Sequence, residues 1–412
     1  MLSDVGAGAL YLHIPFCARK CAYCDFASWA TPVGDPLMAS YTRALECQVA
    51  EAESLGLLDG CETAYVGGGT PTLLGEKDLA SLVSALRAAA PGIQELTCEA
   101  NPDSLSDVAL LAVREAGATR LSIGVQSLND AELAELGRLH DAACALECVR
   151  AAVASGLDVS VDLMCATPLQ TDEGWTRTVE GAVALGVSHV SVYPLQIEEG
   201  TALDARYADD PCLWNDSDVQ ASRMTQAQAV LEGCGMYRYE VASYAAPGKE
   251  CRHNKAYWTG VPYLGLGTGA SSMLNLKGYL KLRFLVPQLL EPSADSSRVR
   301  LTVESGRRHL AERPSLSSLS FSLEFLSEEQ AAAEDLMLGA RLVEGLNPSL
   351  ICRARELFGQ RFDATIEALL AQGLLEEGRG RLVPTKRGWL LGNELYGALW
   401  DLAPGPVETA RC

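Results

Sequence analysis

The chain has 412 residues, 48% of them hydrophobic and 21% charged, a globular composition that excludes wholesale disorder and collagen-like repeats and suggests two to three units. No apolar run approaches the roughly 18 residues of a membrane span. The opening MLSDVGAGALYLHIPFC lacks the basic stretch of a signal peptide, so a cytoplasmic protein without stable membrane insertion is expected. A formal net charge of −20 argues against general nucleic-acid binding, and 14 cysteines in a reducing compartment read as buried thiols or ligands rather than disulfides.

Taken in chain order, short β-branched runs predict strands at 10–16, 61–67, 95–100, 120–126, 158–165 and 189–195. Apolar residues at i, i+3, i+4 spacing predict helices between them, at 77–90, 104–117, 141–155 and 172–186, several stopped by Gly117, Gly156 and Gly186. Six successive βα units imply an α/β fold, a parallel sheet closed or partly closed into a barrel over residues 1–240, with its chemistry at the C-terminal ends of the strands. An aromatic and Gly-rich segment with short strands follows at 241–323, in which 291–322 reads as a loose surface insertion. Residues 324–412 predict a helical, winged-helix-like domain; its 9 basic against 14 acidic residues favour packing or partner docking over DNA binding. Residues 1–244 carry a net −21 and 245–313 a net +6, which fits either an anion site or an internal interface against the acidic barrel.

Cys17, Cys21 and Cys24 form a C-x3-C-x2-C loop just after the first strand. Three thiolates on one tight loop can hold three irons of a [4Fe–4S] cluster and leave the fourth open. A zinc site would need a further ligand, for which His13 is the nearest candidate. This loop, with the aromatic Tyr23, resembles the signature of the radical S-adenosylmethionine (SAM) superfamily, whose core is a partial (β/α)6 barrel. The resemblance implies a cluster that chelates SAM, an external electron donor, and cleavage of SAM to a 5′-deoxyadenosyl radical. Tyr11, Tyr23, Gly68, Gly69, Thr70, Glu99, Gln126, Arg138 and Asp162 are the expected cofactor residues: glycines with exposed amides for close approach, carboxylates for the amine or ribose, an Arg for the carboxylate.

YVGGGTPTLL, TCEANPDSL, RLSIGVQSLNDAELAELGRLH and CRHNKAYW narrow the resemblance to the family around oxygen-independent coproporphyrinogen III oxidase, and within it to its heme-chaperone branch. The resemblance implies that the oxidases carry a further Cys where this chain has Phe26, and an N-terminal extension that is expected to be missing here because the Cys loop starts at residue 17. The resemblance therefore implies heme binding and transfer to heme-accepting proteins such as respiratory enzymes. Oxidative decarboxylation of a tetrapyrrole is the alternative. His253, Asn254, Tyr257 and Trp258 are the expected heme residues, an imidazole for iron and two aromatic faces for the porphyrin, with Lys and Arg nearby for the propionates. Cys251 is a second candidate ligand. One departure stands out: the family's Gly-x-Pro turn reads Ala166-Thr167-Pro168 here.

Overall fold

The computed structural model describes residues 6–209, 216–403, 405 and 407–412. Six strands, β1 (Ala9–Ile14), β2 (Thr63–Gly68), β3 (Glu95–Ala100), β4 (Arg120–Gln126), β5 (Asp158–Cys165) and β6 (His189–Pro194), run parallel in chain order. The helices α1 (Pro36–Ser54), α2 (Glu76–Ala89), α3 (Asp107–Ala116), α4 (Ala142–Ala154) and α5 (Asp172–Ala184) connect them. Residues 36–54 were not among the predicted helices, although Asp35 caps this helix with a side-chain bond to the Leu37 amide and Pro36 opens it. Gly117, Gly156 and Gly186 all take positive φ, as helix-stopping glycines do.

The barrel does not close. A helix α6 (Ser217–Gly233) leads into β7 (Tyr237–Arg238) and β8 (Ser243–Ala245), which extend the sheet beyond β6. After a helix α7 (Arg252–Trp258), β9 (Tyr263–Leu266) pairs parallel with β1, and β10 (Ser271–Asn275), followed by a helix α8 (Leu276–Leu285), then β11 (Ser296–Val303), β12 (Phe321–Ser327) and finally β15 (Glu408–Arg411) continue antiparallel. The result is one 13-stranded sheet ordered β15-β12-β11-β10-β9-β1-β2-β3-β4-β5-β6-β8-β7.

The 291–322 segment is therefore not a loose insertion. In β11 the apolar residues Val299, Leu301 and Val303 alternate into the core, while Arg298 and Arg300 face the other way. Arg298 pairs with Glu334 and Asp335 at 2.7 Å each, and Arg300 with Glu324 and Glu334. These partners lie on β12 and on α9 (Glu328–Gly339), so the Ser/Arg-rich stretch clamps the C-terminal unit to the sheet. That unit packs α9, α10 (Pro348–Phe358), α11 (Gln360–Ala371) and α12 (Gly392–Trp400) around a second core, with a two-stranded wing of β13 (Leu375–Gly378) and β14 (Arg381–Pro384). Much of the positive 245–313 segment is spent on such internal contacts, Lys249 with Asp158 and Arg283 with Glu291 among them.

Alternation along the barrel strands sorts two environments. Leu96 and Cys98, Leu121 and Ile123, Val159 and Val161, Val190 and Val192 belong to the main hydrophobic core. Four buried apolar side chains of α2, Leu79, Leu82, Val83 and Leu86, lie in the same core, each contributing roughly 1.5–3 kcal/mol. The intervening residues, Thr97, Glu99, Ser122, Ser160, Asp162 and Ser191, line the barrel interior. Parallel strands covered on both faces usually read as continuous apolar runs. Polar residues on every second position mark a barrel whose inside is a chamber.

Candidate cluster and cofactor site

The cluster loop is held from beneath by His13, whose Nδ1 hydrogen-bonds the Tyr11 hydroxyl and whose Nε2 hydrogen-bonds the Ala27 carbonyl, both at 2.9 Å. Both ring nitrogens are thus engaged, and His13 is not a fourth metal ligand. Tyr11 acts through His13 and does not line the cavities described here. Cys17, Cys21 and Cys24 are half-buried and line one cavity of about 140 Å³ together with Tyr23, Gly68, Gly69, Thr70, Glu99, Gln126, Arg138 and Asp162. Among the described residues no three His, Cys, Asp or Glu side chains are gathered as ligands of a single ion. Thiols spread along one wall suit a cluster in which each thiolate takes its own iron.

Gly68 has φ +110, and a Cβ there would lie 2.4 Å from the His13 ring; at Gly69 it would lie 2.6 Å from the Phe16 carbonyl oxygen. Glycine is needed here for close passage of β2 over the cluster loop. The expectation of exposed amides is corrected: the N–H groups of Gly68, Gly69 and Thr70 donate to Glu99, Ile14 and Phe16 at 2.8 Å. What the glycines contribute is space.

Glu99 accepts from the Tyr65 hydroxyl and the Gly68 amide at 2.8 Å, and burial raises its carboxyl to about 7. Asp162 accepts from the Ser122 hydroxyl at 3.2 Å and is raised by burial to about 6. Arg138 donates to the Cys21 sulfur at 3.3 Å, to Asn101 Oδ1 at 2.7 Å and to the Gly124 carbonyl at 2.8 Å, while its Nε has no hydrogen-bond partner among the described residues. Gln126 sits at a register shift of β4 with φ +65, a conformation that non-glycine residues adopt at a cost. A half-buried Arg with an open donor, two carboxyls held out of their ordinary range and a glycine-walled gap fit a zwitterionic, cationic sulfonium ligand beside a cluster. Cys17, Cys21 and Cys24 would hold the cluster, and Glu99, Gln126, Arg138 and Asp162 would hold SAM. When bound, the pair supplies one-electron chemistry.

A second cavity of about 440 Å³ continues down the barrel from Tyr23, Phe26 and Tyr193 to Arg120, Cys251 and Asn254. It ends at α7, which carries the expected heme residues. This helix does not stand at the mouth. It closes the N-terminal ends of the strands: Glu95, the first residue of β3, accepts from the Arg252 amide at 3.1 Å and the His253 amide at 3.0 Å, capping the helix N-terminus, and from the Cys251 thiol at 3.3 Å.

In this structure His253 and its aromatic neighbours are packed into the floor and are not arranged as an open cradle. His253 is 1% exposed, its Nδ1 bonded to Thr63 at 2.9 Å and its Nε2 to Tyr257 at 3.0 Å, with its ring stacked on Tyr65. Tyr257 meets His253 and Tyr263 edge-on, and Trp258 lies under the Arg341 guanidinium. Cys251 is buried and bonded to Glu95. Only Asn254 of the four reaches the chamber. The remaining cysteines also divide: Cys61, Cys98, Cys148 and Cys165 are buried as expected, Cys47, Cys144 and Cys412 are half-buried, and Cys234 and Cys352 are exposed. Cys212 lies outside the described residues.

Two residues of the site were missed. Asn101 bridges Arg138 and Thr70 and was legible in the TCEANPDSL motif. Arg120 lies at the bottom of the chamber, and its signal was the alternation of RLSIGVQ, which puts Arg on the same face as Ser122.

Fold and site together define a radical SAM protein, and residues 11–181 match the Radical SAM superfamily while 326–391 match the HemN C-terminal domain. The heme chaperone HemW of Mycobacterium tuberculosis (strain H37Rv) is 34% identical over 95% of this chain and 94% of its own length, and that of Bacillus subtilis is 30% identical over 94% and 98%. The bovine mitochondrial radical S-adenosyl methionine domain-containing protein 1 is 36% identical over 82% of this chain and 74% of its own. In fold the chain is similar to the Escherichia coli coproporphyrinogen III oxidase HemN, with a TM-score of 0.72 at 19% identity over 97% of this chain and 91% of that one. The chain belongs to the HemW family.

Proposed function

We propose that this protein is a cytoplasmic heme chaperone, which binds heme beside a [4Fe–4S] and SAM site, receives electrons from a donor protein and hands heme to acceptors such as respiratory enzymes. The observation that carries this is similarity to curated heme chaperones along nearly the whole chain, at 34% identity over 95% of it. Phe26 supports it: this side chain lines both cavities where the decarboxylase branch places its additional Cys. No described helix is long and apolar enough to cross a membrane.

The test is to load the reconstituted chain with hemin and mix it with an apo-cytochrome. A Soret band that moves from chaperone to acceptor is expected. Retention of all heme by the loaded chain, or dithionite- and SAM-dependent decarboxylation of coproporphyrinogen III, would overturn the reading. His253 enters as a separate question. With α7 seated on the floor, His253→Ala lowers stability and leaves the Soret maximum where it was; a displaced maximum would show that α7 swings away and offers its imidazole to iron.

A further inference from the structure

Arg120 and Thr97 are direct register partners on β4 and β3, both face the chamber, and both are buried, at 3% and 0% exposure. The guanidinium of Arg120 is only partly used. Its Nε lies 3.3 Å from Glu95, its Nη2 donates to the Lys249 carbonyl at 2.8 Å, and its Nη1 has no hydrogen-bond partner among the described residues. The Thr97 hydroxyl has none either. Unpartnered donors of Arg120 and Thr97 on one buried wall are costly unless something accepts from them.

The neighbouring polar groups are accounted for in another way. Ser160 is bonded to His189 at 2.7 Å, and His189 in turn to Tyr239 at 2.9 Å. Ser122 donates to Asp162, so the open pair is confined to one spot at the lower end of the chamber, with Asn254 on the same lining. A charged N–H and a hydroxyl presented together match the two oxygens of one carboxylate. Glu95 neutralises the guanidinium from below, so what the site adds for an incoming carboxylate is directional hydrogen bonding.

We propose that the barrel chamber is a binding site for a carboxylate-bearing ligand, with the carboxylate seated on Arg120 Nη1 and the Thr97 hydroxyl and the rest of the molecule extending towards Tyr23 and Phe26 at the cluster end. Two sources share this chemistry: a propionate of a tetrapyrrole, which rests on the heme reading above, and a small free carboxylic acid, which does not.

The experiment uses the full chain, anaerobically reconstituted, and two pairs of probes: hemin against its dimethyl ester, followed by Soret titration, and hexanoate against hexanamide, followed by thermal shift. At least one acid should bind about tenfold more tightly than its uncharged counterpart, the size of one charge-assisted bond near 1.4 kcal/mol. That preference should vanish in the paired E95Q/R120Q variant, which leaves no lone buried charge, and fall several-fold in Thr97→Val, which keeps the side-chain shape. A preference confined to hemin identifies the tetrapyrrole, and one confined to hexanoate identifies a small acid. If hemin and its ester both fail to bind while hexanoate is preferred, the heme reading fails and the carboxylate site stands. Equal binding of both acids and their neutral counterparts, or a preference unaltered in Thr97→Val, overturns the inference.

Discussion

The two ends of the barrel use the same residue types to opposite effect. At the floor, Glu95, Arg120, Cys251, His253 and His189 are tied to one another, to Thr63, Ser160, Tyr239 and Tyr257, or to the backbone of α7. At the mouth, three half-buried thiols, an Arg138 with an open Nε and two carboxyls far from their ordinary pKa share a cavity with Phe26, which is 63% exposed. Both ring nitrogens of His253 and of His189 are engaged, while Arg120 Nη1 and the Thr97 hydroxyl stay open towards the chamber. Thiols on an accessible wall beside an open Arg138 donor are free to meet a ligand.

The largest effect that sharpens this contrast is replacement of Cys17, Cys21 and Cys24 by Ala, which should abolish iron and the brown absorbance of the reconstituted protein. Cys61→Ala and Cys98→Ala, buried thiols away from the site, should retain both. Iron content at wild-type level in the triple variant would break the comparison.

Next in size is the floor. Glu95→Ala strips the Arg120 guanidinium of its ion pair and α7 of its cap, and should cost roughly 3–5 kcal/mol in urea unfolding, the penalty for half of a buried pair. A cost under about 1 kcal/mol, the scale of an exposed pair, would show that Glu95 does not carry the buried contacts described.

The ends also titrate in opposite senses in the metal-free chain. Glu99 and Asp162 are raised by burial to about 7 and about 6. Their stability contribution is therefore full below the ordinary carboxylate range and is lost as pH rises through those values. His189 and His253 are lowered by burial to about 3. Theirs is full above an ordinary His pKa of about 6.5 and is lost as pH falls towards 3. Between about pH 4.5 and 6.5, Glu99→Gln should gain stability relative to the parent as pH rises, and His253→Gln should lose it; parallel curves for all three proteins would contradict the assignment.

The smallest effect concerns Ala166, which takes φ +55 at the turn after β5 and is held by a bond from its amide to Gln170 at 2.8 Å. Left-handed backbone disfavours a Cβ, so Ala166→Gly should stabilise the protein by about 1 kcal/mol, read as a raised thermal midpoint.

Much of this was legible in the sequence. The six barrel strands came from β-branched alternation, the helix ends from glycines and the cluster loop from its Cys spacing, while Glu99, Gln126, Arg138 and Asp162 were expected from the family resemblance together with their places at strand ends. The floor was not, because CRHNKAYW has the residue types of a ligand site, and no local signal says that Thr63, Glu95 and Tyr65, nearly 160 to 190 residues away, occupy its polar atoms. Residues 291–322 were misread for a related reason: Ser and Arg suggest a loop, whereas the acids that make Arg298 and Arg300 good strand residues lie on β12 and α9. The polar faces of β3 to β6 were visible as alternation, yet their meaning as a chamber requires the curved sheet.

The most direct test of the central claim is anaerobic reconstitution with iron and sulfide followed by hemin titration, with coproporphyrinogen III, SAM and dithionite offered in parallel. A heme chaperone should bind one heme per chain with a saturable Soret change and form no decarboxylated product. An absent Soret change together with substrate-dependent decarboxylation would contradict it.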